Sequence, residues 1–265
     1  MFKLIKNTNV EYFVSNIFPD NVKHAFTTRI GGNAPPPIDS FSMGTAQYHN
    51  AINKVIENRK TICTILGIDY NNLVMTDQHH TDNIIILKSQ EQANAKSWLD
   101  YTDGVIIPVS RVPAMLFFAD CTPVMLYDKE NNILALIHAG WKGTAQQIVV
   151  KTYEKMRANF NTLPENTIAA IGPNIGICCY EVSNDVAEKL LATIPKNSIS
   201  DKIIKSINNK PYINLKQINA EQLKACKISE IDISAECTSC NSSLFFSHRL
   251  TKGQTGRQSL IAQLE

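Results

Sequence analysis

Long apolar runs are missing from this chain of 265 residues. A membrane helix needs about 20 predominantly apolar residues, so no spanning helix is expected. Met1–Val14 interleaves charged residues and asparagine with apolar ones. It lacks the apolar h-region and small-residue cleavage site of a secretory signal, and the expectation is a cytoplasmic protein that does not enter a membrane. A basic run is also missing. Lys and Arg number 26 against 24 Asp and Glu, a formal charge of +2. Phosphate-backbone binding needs a basic stripe, so nucleic acid is excluded as a main partner. Histidine is scarce, with six residues and no His-x-His. That excludes the histidine-rich blue and trinuclear copper centres of a classical copper oxidase.

The seven cysteines are an odd number in a chain without a secretory leader. They read as buried small hydrophobes, ligands or nucleophiles rather than disulfides. Cys237-Thr-Ser-Cys240 has C-x-x-C spacing, but no second pair follows it and the helix of a redox motif is missing. Alone it is weak evidence for zinc.

The apolar fraction of 44% and charged fraction of 19% belong to a globular chain. No repeat or linker divides it, so one catalytic domain over 1–265 is expected, as a monomer or small homo-oligomer. The Gly- and Pro-rich stretch Ile30–Ser42 is a loop. Ile52–Leu66 has helical apolar spacing closed by Gly67. Thr144–Phe160, Asn184–Ile194 and Ile213–Ala225 also read as helices. Asn72–Thr76, Ile84–Leu87, Pro113–Tyr127, Ile133–Ile137, Thr167–Ile171, Ile228–Ile233 and Leu244–Ser247 read as strands. Helices and strands mix without a βαβ rhythm, which predicts α+β with mixed sheets.

Two phrases carry the chemistry: Ala119-Asp-Cys-Thr-Pro123 and His138-Ala-Gly-Trp-Lys-Gly143. Cys121 and His138 sit at the ends of the apolar segments Pro113–Ala119 and Ile133–Ile137, and side-by-side pairing of those strands would bring them together. A thiol beside an imidazole is a metal site or an activated nucleophile. A histidine of Gln78-His-His80 would complete a three-ligand zinc site with one open position. Spacing does not choose between His79 and His80. Each of these residues alone is more often structural.

Arg29, beside the Gly-rich loop, is a candidate for holding an anionic group or else a surface arginine. Lys142 follows a Gly-rich strand-to-helix turn and is a candidate phosphate contact, against an exposed lysine. Arg249, in Phe245-Phe-Ser-His-Arg249, either lines a pocket or is a strand-end charge. Arg59 reads as a helix-surface charge. The vicinal pair Cys178-Cys179 reads as part of a wall around a site. Asp120 and Glu181 are the nominal general acid/base candidates.

Together these segments resemble the laccase-domain family. Phe26-Thr-Thr-Arg-Ile-Gly-Gly32, Glu57-Asn-Arg59, Gln78-His-His80, Ala119–Pro123, His138–Thr144, Gly172-Pro-Asn-Ile-Gly-Ile-Cys-Cys-Tyr-Glu-Val182, Cys237-Thr238 and Phe245–Arg249 run in family order over nearly the whole chain. The family is described both as multicopper polyphenol oxidoreductases and as purine nucleoside phosphorylases with adenosine deaminase activity, and also as a peptidoglycan editing factor. The resemblance implies an α+β sandwich of mixed β-sheets flanked by helices, similar to the toxin deamidases. It implies zinc, with copper as the other metal, held by His80, Cys121 and His138. Purine nucleosides and phosphate are the implied small-molecule partners, with Arg29, Lys142 and Arg249 as substrate contacts. The rival readings are a cysteine-type amidase acting on peptidoglycan precursors, a copper-dependent polyphenol oxidase, and a binding protein without turnover. The chain departs from the family at Thr81, where glycine is usual, and at Ser42-Met-Gly44 and the Ala46-Gln-Tyr-His49 run.

Overall fold

The computed structural model describes residues 1–89 and 98–265. Its strands are β1 (Phe2–Asn7), β2 (Val10–Ser15), β3 (Val22–Thr27), β4 (Val74–Thr76), β5 (Ile84–Ile86), β6 (Trp98–Leu99), β7 (Gly104–Ile107), β8 (Ala114–Phe118), β9 (Thr122–Asp128), β10 (Ile133–Ala139), β11 (Thr167–Ile171), β12 (Ile204–Ile207), β13 (Lys210–Ile213), β14 (Glu230–Ile233) and β15 (Gln258–Leu264). One sheet runs β1-β2-β3-β15-β8-β4-β6 and a second β14-β11-β9-β10-β7-β5. Both are mixed: β3, β15 and β8 pair antiparallel while β8 and β4 are parallel, and β11 is parallel to β14 but antiparallel to β9.

The two sheets pack face to face. Phe26, Leu116, Phe118 and Leu260 of the first meet Met125, Leu134, Leu136 and Ile168 of the second in one buried cluster. Alternate residues of the second sheet, Val124, Leu126, Ala135 and Ile137, point outward and are covered by Ile148, Val149, Tyr153 and Met156 of the helix Ile148–Phe160. Ile62 and Cys63 of the helix Ile52–Leu66 cover Ala25, Met115 and Ile261 on the outside of the first sheet. Strands with both faces covered are apolar throughout, hence the unbroken burial of β9 and β10. This is the expected α+β sandwich.

Several boundaries differ from the expectation. Pro113–Tyr127 is two strands in two sheets, because β8 belongs to the first and β9 to the second. The chain crosses between them at Ala119–Cys121, with Asp120 at φ +83°. The strand that pairs with β10 is therefore β9, with Ala139 opposite Thr122. Apolarity cannot reveal a change of sheet, since both halves are buried. The helix expected over Thr144–Phe160 is interrupted by Gln147 at φ +58° and preceded by the short helix Trp141–Ala145. Leu244–Ser247 is not a strand: Phe245 and Phe246 are buried in a turn, and Ser247 caps the short helix His248–Thr251. The last strand is β15, wholly buried between β3 and β8.

Candidate active site

β9 and β10 end side by side, and Cys121 and His138 follow from that register. His138 lies opposite Pro123, two residues beyond Cys121. The third residue comes from the turn after β4. His80 sits there at φ +59°, and its Nε2 is 3.7 Å from the Cys121 Sγ. The ligand atoms of His80, Cys121 and His138 all lie within 4.8 Å of one another. His80, not His79, joins the cluster. The His79 ring instead stacks on Tyr101 and pairs with Asp77.

Asp103, just before β7, ties His138 to the His80 turn. Its Oδ1 accepts from His138 Nδ1 at 2.8 Å and from the His80 main-chain N–H at 3.1 Å. Its Oδ2 accepts from the Thr81 N–H and hydroxyl, each at 2.8 Å, and from the His79 N–H at 3.2 Å. Thr81, a departure from the family pattern, thus adds a hydroxyl donor that glycine lacks. The carboxyl is held down at about 2: burial would raise it, but the His138 and Thr81 hydrogen bonds outweigh burial. Nothing in the sequence around Asp103 singles it out, because its partners come from the turn after β4 and from β10 and meet only in the fold.

Burial would also raise the Cys121 thiol, but the neighbouring His138 and His80 bring it down to about 6. Burial would lower His138, yet the Cys121 and Asp103 charges push it up to about 9. Each of the two groups favours the charged form of the other.

The cluster fits a metal. Zinc bonds of about 2.3 Å to sulfur and about 2.0 Å to nitrogen, at a tetrahedral angle, place S and N about 3.6 Å apart. The His80–Cys121 separation matches. The Asp103 bond to His138 Nδ1 leaves Nε2 for the metal, with a carboxylate orienting the ligand from behind. Gly140 gives the room: a Cβ there would lie 2.8 Å from His80 Cδ2 and 3.2 Å from Cys121 Sγ.

The cluster lines a cavity of about 730 Å³. Arg59, Arg249 and Arg257 bring cationic groups to its walls, and Trp98, Phe117 and Tyr180 bring aromatic surface. Arg249 lines the cavity, its guanidinium over the Tyr180 ring at 5.1 Å and its Nη1 donating to the Glu181 carbonyl at 2.9 Å. Arg29 does not line it. Its guanidinium donates to the carbonyls of Asp39 and Ser242 and lies over Phe246. Lys142 lies outside as well, in a separate depression with Lys189 and Thr193. Arg59 is a correction, for it is 4% exposed rather than a surface charge. Its Nε donates to the Met43 carbonyl and its guanidinium lies over Trp98 and Phe117.

The two nominal acid/base residues are committed elsewhere. Asp120 accepts from the Thr238 hydroxyl at 2.6 Å, from the Ser247 hydroxyl at 3.1 Å and from the Arg249 N–H at 2.7 Å. Its role is to hold the Cys121 turn against the loops at 238 and 247–249. The Glu181 carboxylate is paired with Lys210 and Tyr212.

A two-sheet sandwich that opens a cavity onto a His-Cys-His cluster, braced by a buried carboxylate, defines an enzyme-type site of the laccase-like fold. The model of the multi-copper polyphenol oxidoreductase laccase family matches residues 23–265, and the chain belongs to that family. The purine nucleoside phosphorylase YlmD of Geobacillus stearothermophilus is 32% identical over 238 residues, covering 87% of this chain and 86% of that protein. YlmD of Bacillus subtilis, with the same name, is 30% identical over 239 residues, 88% of this chain and 84% of that one. Among solved structures, the Bacillus licheniformis hypothetical protein YfiH superposes with a TM-score of 0.90 at 32% identity, covering 100% of this chain and 99% of that one. The Geobacillus YlmD structure superposes with 0.89 at 27% identity, over 99% and 98%. No described helix is long and apolar enough to cross a membrane.

Proposed function

We propose that this chain is a zinc-dependent purine nucleoside phosphorylase that also deaminates adenosine, with His80, Cys121 and His138 holding the metal. One observation carries the reading: a single cavity joins the three ligands, arginine side chains and aromatic rings. Its volume lies in the range of small-molecule sites. When bound, zinc supplies Lewis acidity and lowers the pKa of a water toward neutrality. The chain's residues do the rest. Phe117, Trp98 and Tyr180 offer faces for a purine ring. Arg249 and Arg257 hold phosphate near the ribose, a charge-assisted contact suited to guanidinium. Asp103 keeps the proton of His138 on Nδ1. Asp77 lines the cavity with its Oδ2 2.8 Å from His79 Nε2, and this carboxylate–imidazole pair is assigned to proton transfer in deamination.

The test is a product assay on adenosine with metal-loaded protein. Inosine should form without phosphate, and adenine plus ribose 1-phosphate when phosphate is supplied. Elemental analysis decides between zinc and copper. No turnover of any purine nucleoside by metal-loaded protein rejects the reading.

A second reading has its own support. In the metal-free site Cys121, His138 and Asp103 align as nucleophile, base and orienting carboxylate, with the thiol pulled down to about 6. That arrangement suits a cysteine-type amidase, including one acting on peptidoglycan precursors. Activity on an amide substrate that survives chelation favours it.

A further inference from the structure

Two cysteine motifs far apart in sequence meet beside the cavity. Cys178 and Cys179 leave the Gly172–Gly176 turn, and Cys237-Thr-Ser-Cys240 follows β14. An isolated parallel bridge joins Asn174 to Cys237, and the Thr238 N–H donates to the Asn174 carbonyl at 3.0 Å. All four sulfurs lie within 4.8 Å of one another. The Cys240 Sγ is 3.3 Å from the Cys178 Sγ and 3.3 Å from the Cys179 Sγ, so no single disulfide pair is favoured.

The surroundings of Cys237 suit negative sulfur. The Gly176 N–H donates to the Cys237 Sγ at 3.1 Å. Gly176 leaves the sulfurs their space, since a Cβ there would lie 3.1 Å from the Cys237 Cβ and 3.2 Å from the Cys178 Sγ. Lys216, only 6% exposed, lies near Cys237 and Cys178 and places its ammonium against the Glu236 carbonyl at 2.6 Å. A buried lysine usually has an anionic partner.

We propose that Cys178, Cys179, Cys237 and Cys240 form a second metal site, a closed tetrathiolate centre that takes zinc and has a structural role. Four sulfur ligands at tetrahedral reach select zinc among common divalent ions, and a closed set leaves no position for substrate. Binding releases the four thiol protons to solvent, and no oxidant or reductant is needed. The resulting centre carries two negative charges, which the Lys216 ammonium and the Gly176 N–H offset. Its place explains its use. Ile175 and Tyr180, flanking the vicinal cysteines, line the cavity, and Thr238, inside the C-x-x-C turn, holds Asp120 next to Cys121. The centre staples two loops that support the first site, and its occupancy does not depend on the reading of that site.

The test is the metal content per chain of the full-length protein, purified under reducing conditions without added metal. Cys240→Ser should hold one zinc fewer than wild type, whatever the His80 site contains. Cys240→His keeps a zinc ligand and should retain it. Cys226→Ser, which alters a cysteine outside the cluster, should match wild type. Cobalt loading of Cys121→Ala should give the thiolate-to-cobalt charge-transfer bands of a sulfur-only tetrahedral site. Equal zinc in wild type and Cys240→Ser overturns the proposal. So does a disulfide at Cys240 in freshly prepared protein, or the absence of tetrathiolate bands on cobalt loading.

Discussion

Asp103 Oδ1 accepts from His138 Nδ1 at 2.8 Å, and both side chains are almost wholly enclosed. This one bond fixes which ring nitrogen of His138 faces Cys121. The same carboxylate ties down the main chain of the His80 turn, so two of the three clustered side chains depend on it.

Asp103→Asn is expected to lower metal affinity by about 10- to 100-fold, the usual cost of disturbing a carboxylate behind a histidine ligand. An amide cannot accept at both atoms, and its NH2 would face donors. Competition with a chromogenic chelator measures the change. Unaltered affinity with altered stability would reduce Asp103 to a packing role.

Cys121 in metal-free protein should alkylate with iodoacetamide down to about pH 6, because His138 and His80 outweigh the burial that would raise its thiol. His138→Ala removes the main opposing charge and should move the midpoint upward. Restoring metal should slow labelling at every pH, since the thiolate is then occupied. Labelling indifferent to both metal and His138 would count against a shared site.

Gly140→Ala should fold yet bind metal poorly, because the new methyl would meet His80 Cδ2 at 2.8 Å and Cys121 Sγ at 3.2 Å. The expected readout is a reduced metal content with little change in circular dichroism. Full metal content in this variant would show that the ligands converge from another direction.

Arg249→Ala should raise the KM for phosphate roughly 10- to 100-fold, the scale of a lost hydrogen bond to a charged group, and affect deamination less. Arg29→Ala should instead reduce both activities alike, together with thermal stability, since its guanidinium is bound to the Asp39 and Ser242 carbonyls. A phosphate-selective defect in the Arg29 variant would reverse these assignments.

His24 supplies a pH dependence away from the site. Its Nε2 accepts from the Ser15 N–H at 2.9 Å, its Nδ1 donates to the Val22 carbonyl, and burial pushes its pKa down. The unfolded chain therefore takes up this proton first. Stability should be level above about pH 6.5 and fall below it, by at most about 1.4 kcal/mol per pH unit from this group. Urea midpoints of wild type and His24→Gln from pH 5 to 8 check this. The variant should be weaker at pH 8 and show a shallower acid slope. Identical slopes would remove His24 as the source.

The helix Ile52–Leu66 and the strands β10 and β11 were legible because one-sided or continuous burial leaves a local period or run in the sequence. β1, β2, β3 and β15 leave no comparable local signal, although Val10-Glu-Tyr-Phe-Val-Ser15 and Gln258–Leu264 carry strand-forming residues. Their stability lies in pairings across the chain, such as Leu260 with Phe26 and Leu116. The three clustered residues are legible from short, specific phrases, with the family pattern choosing His80 over His79. The burial of Arg59 is not legible in the sequence, because its helical position alone does not tell which face the loop at Met43 covers.

The sequence by itself determined the class of fold, the family and the identities of Cys121, His138 and His80, because those depend on local pattern and on residue chemistry. Tertiary structure alone decided that Asp103 ties His138 to the His80 turn, that Asp120 is a brace, that Arg249 faces the cavity while Arg29 and Lys142 do not, and that Cys178-Cys179 meets Cys237-x-x-Cys240. Each of these is a contact between segments remote in the chain. Such contacts are set by the crossing from β8 to β9 and by the packing of the two sheets, and no local period records them.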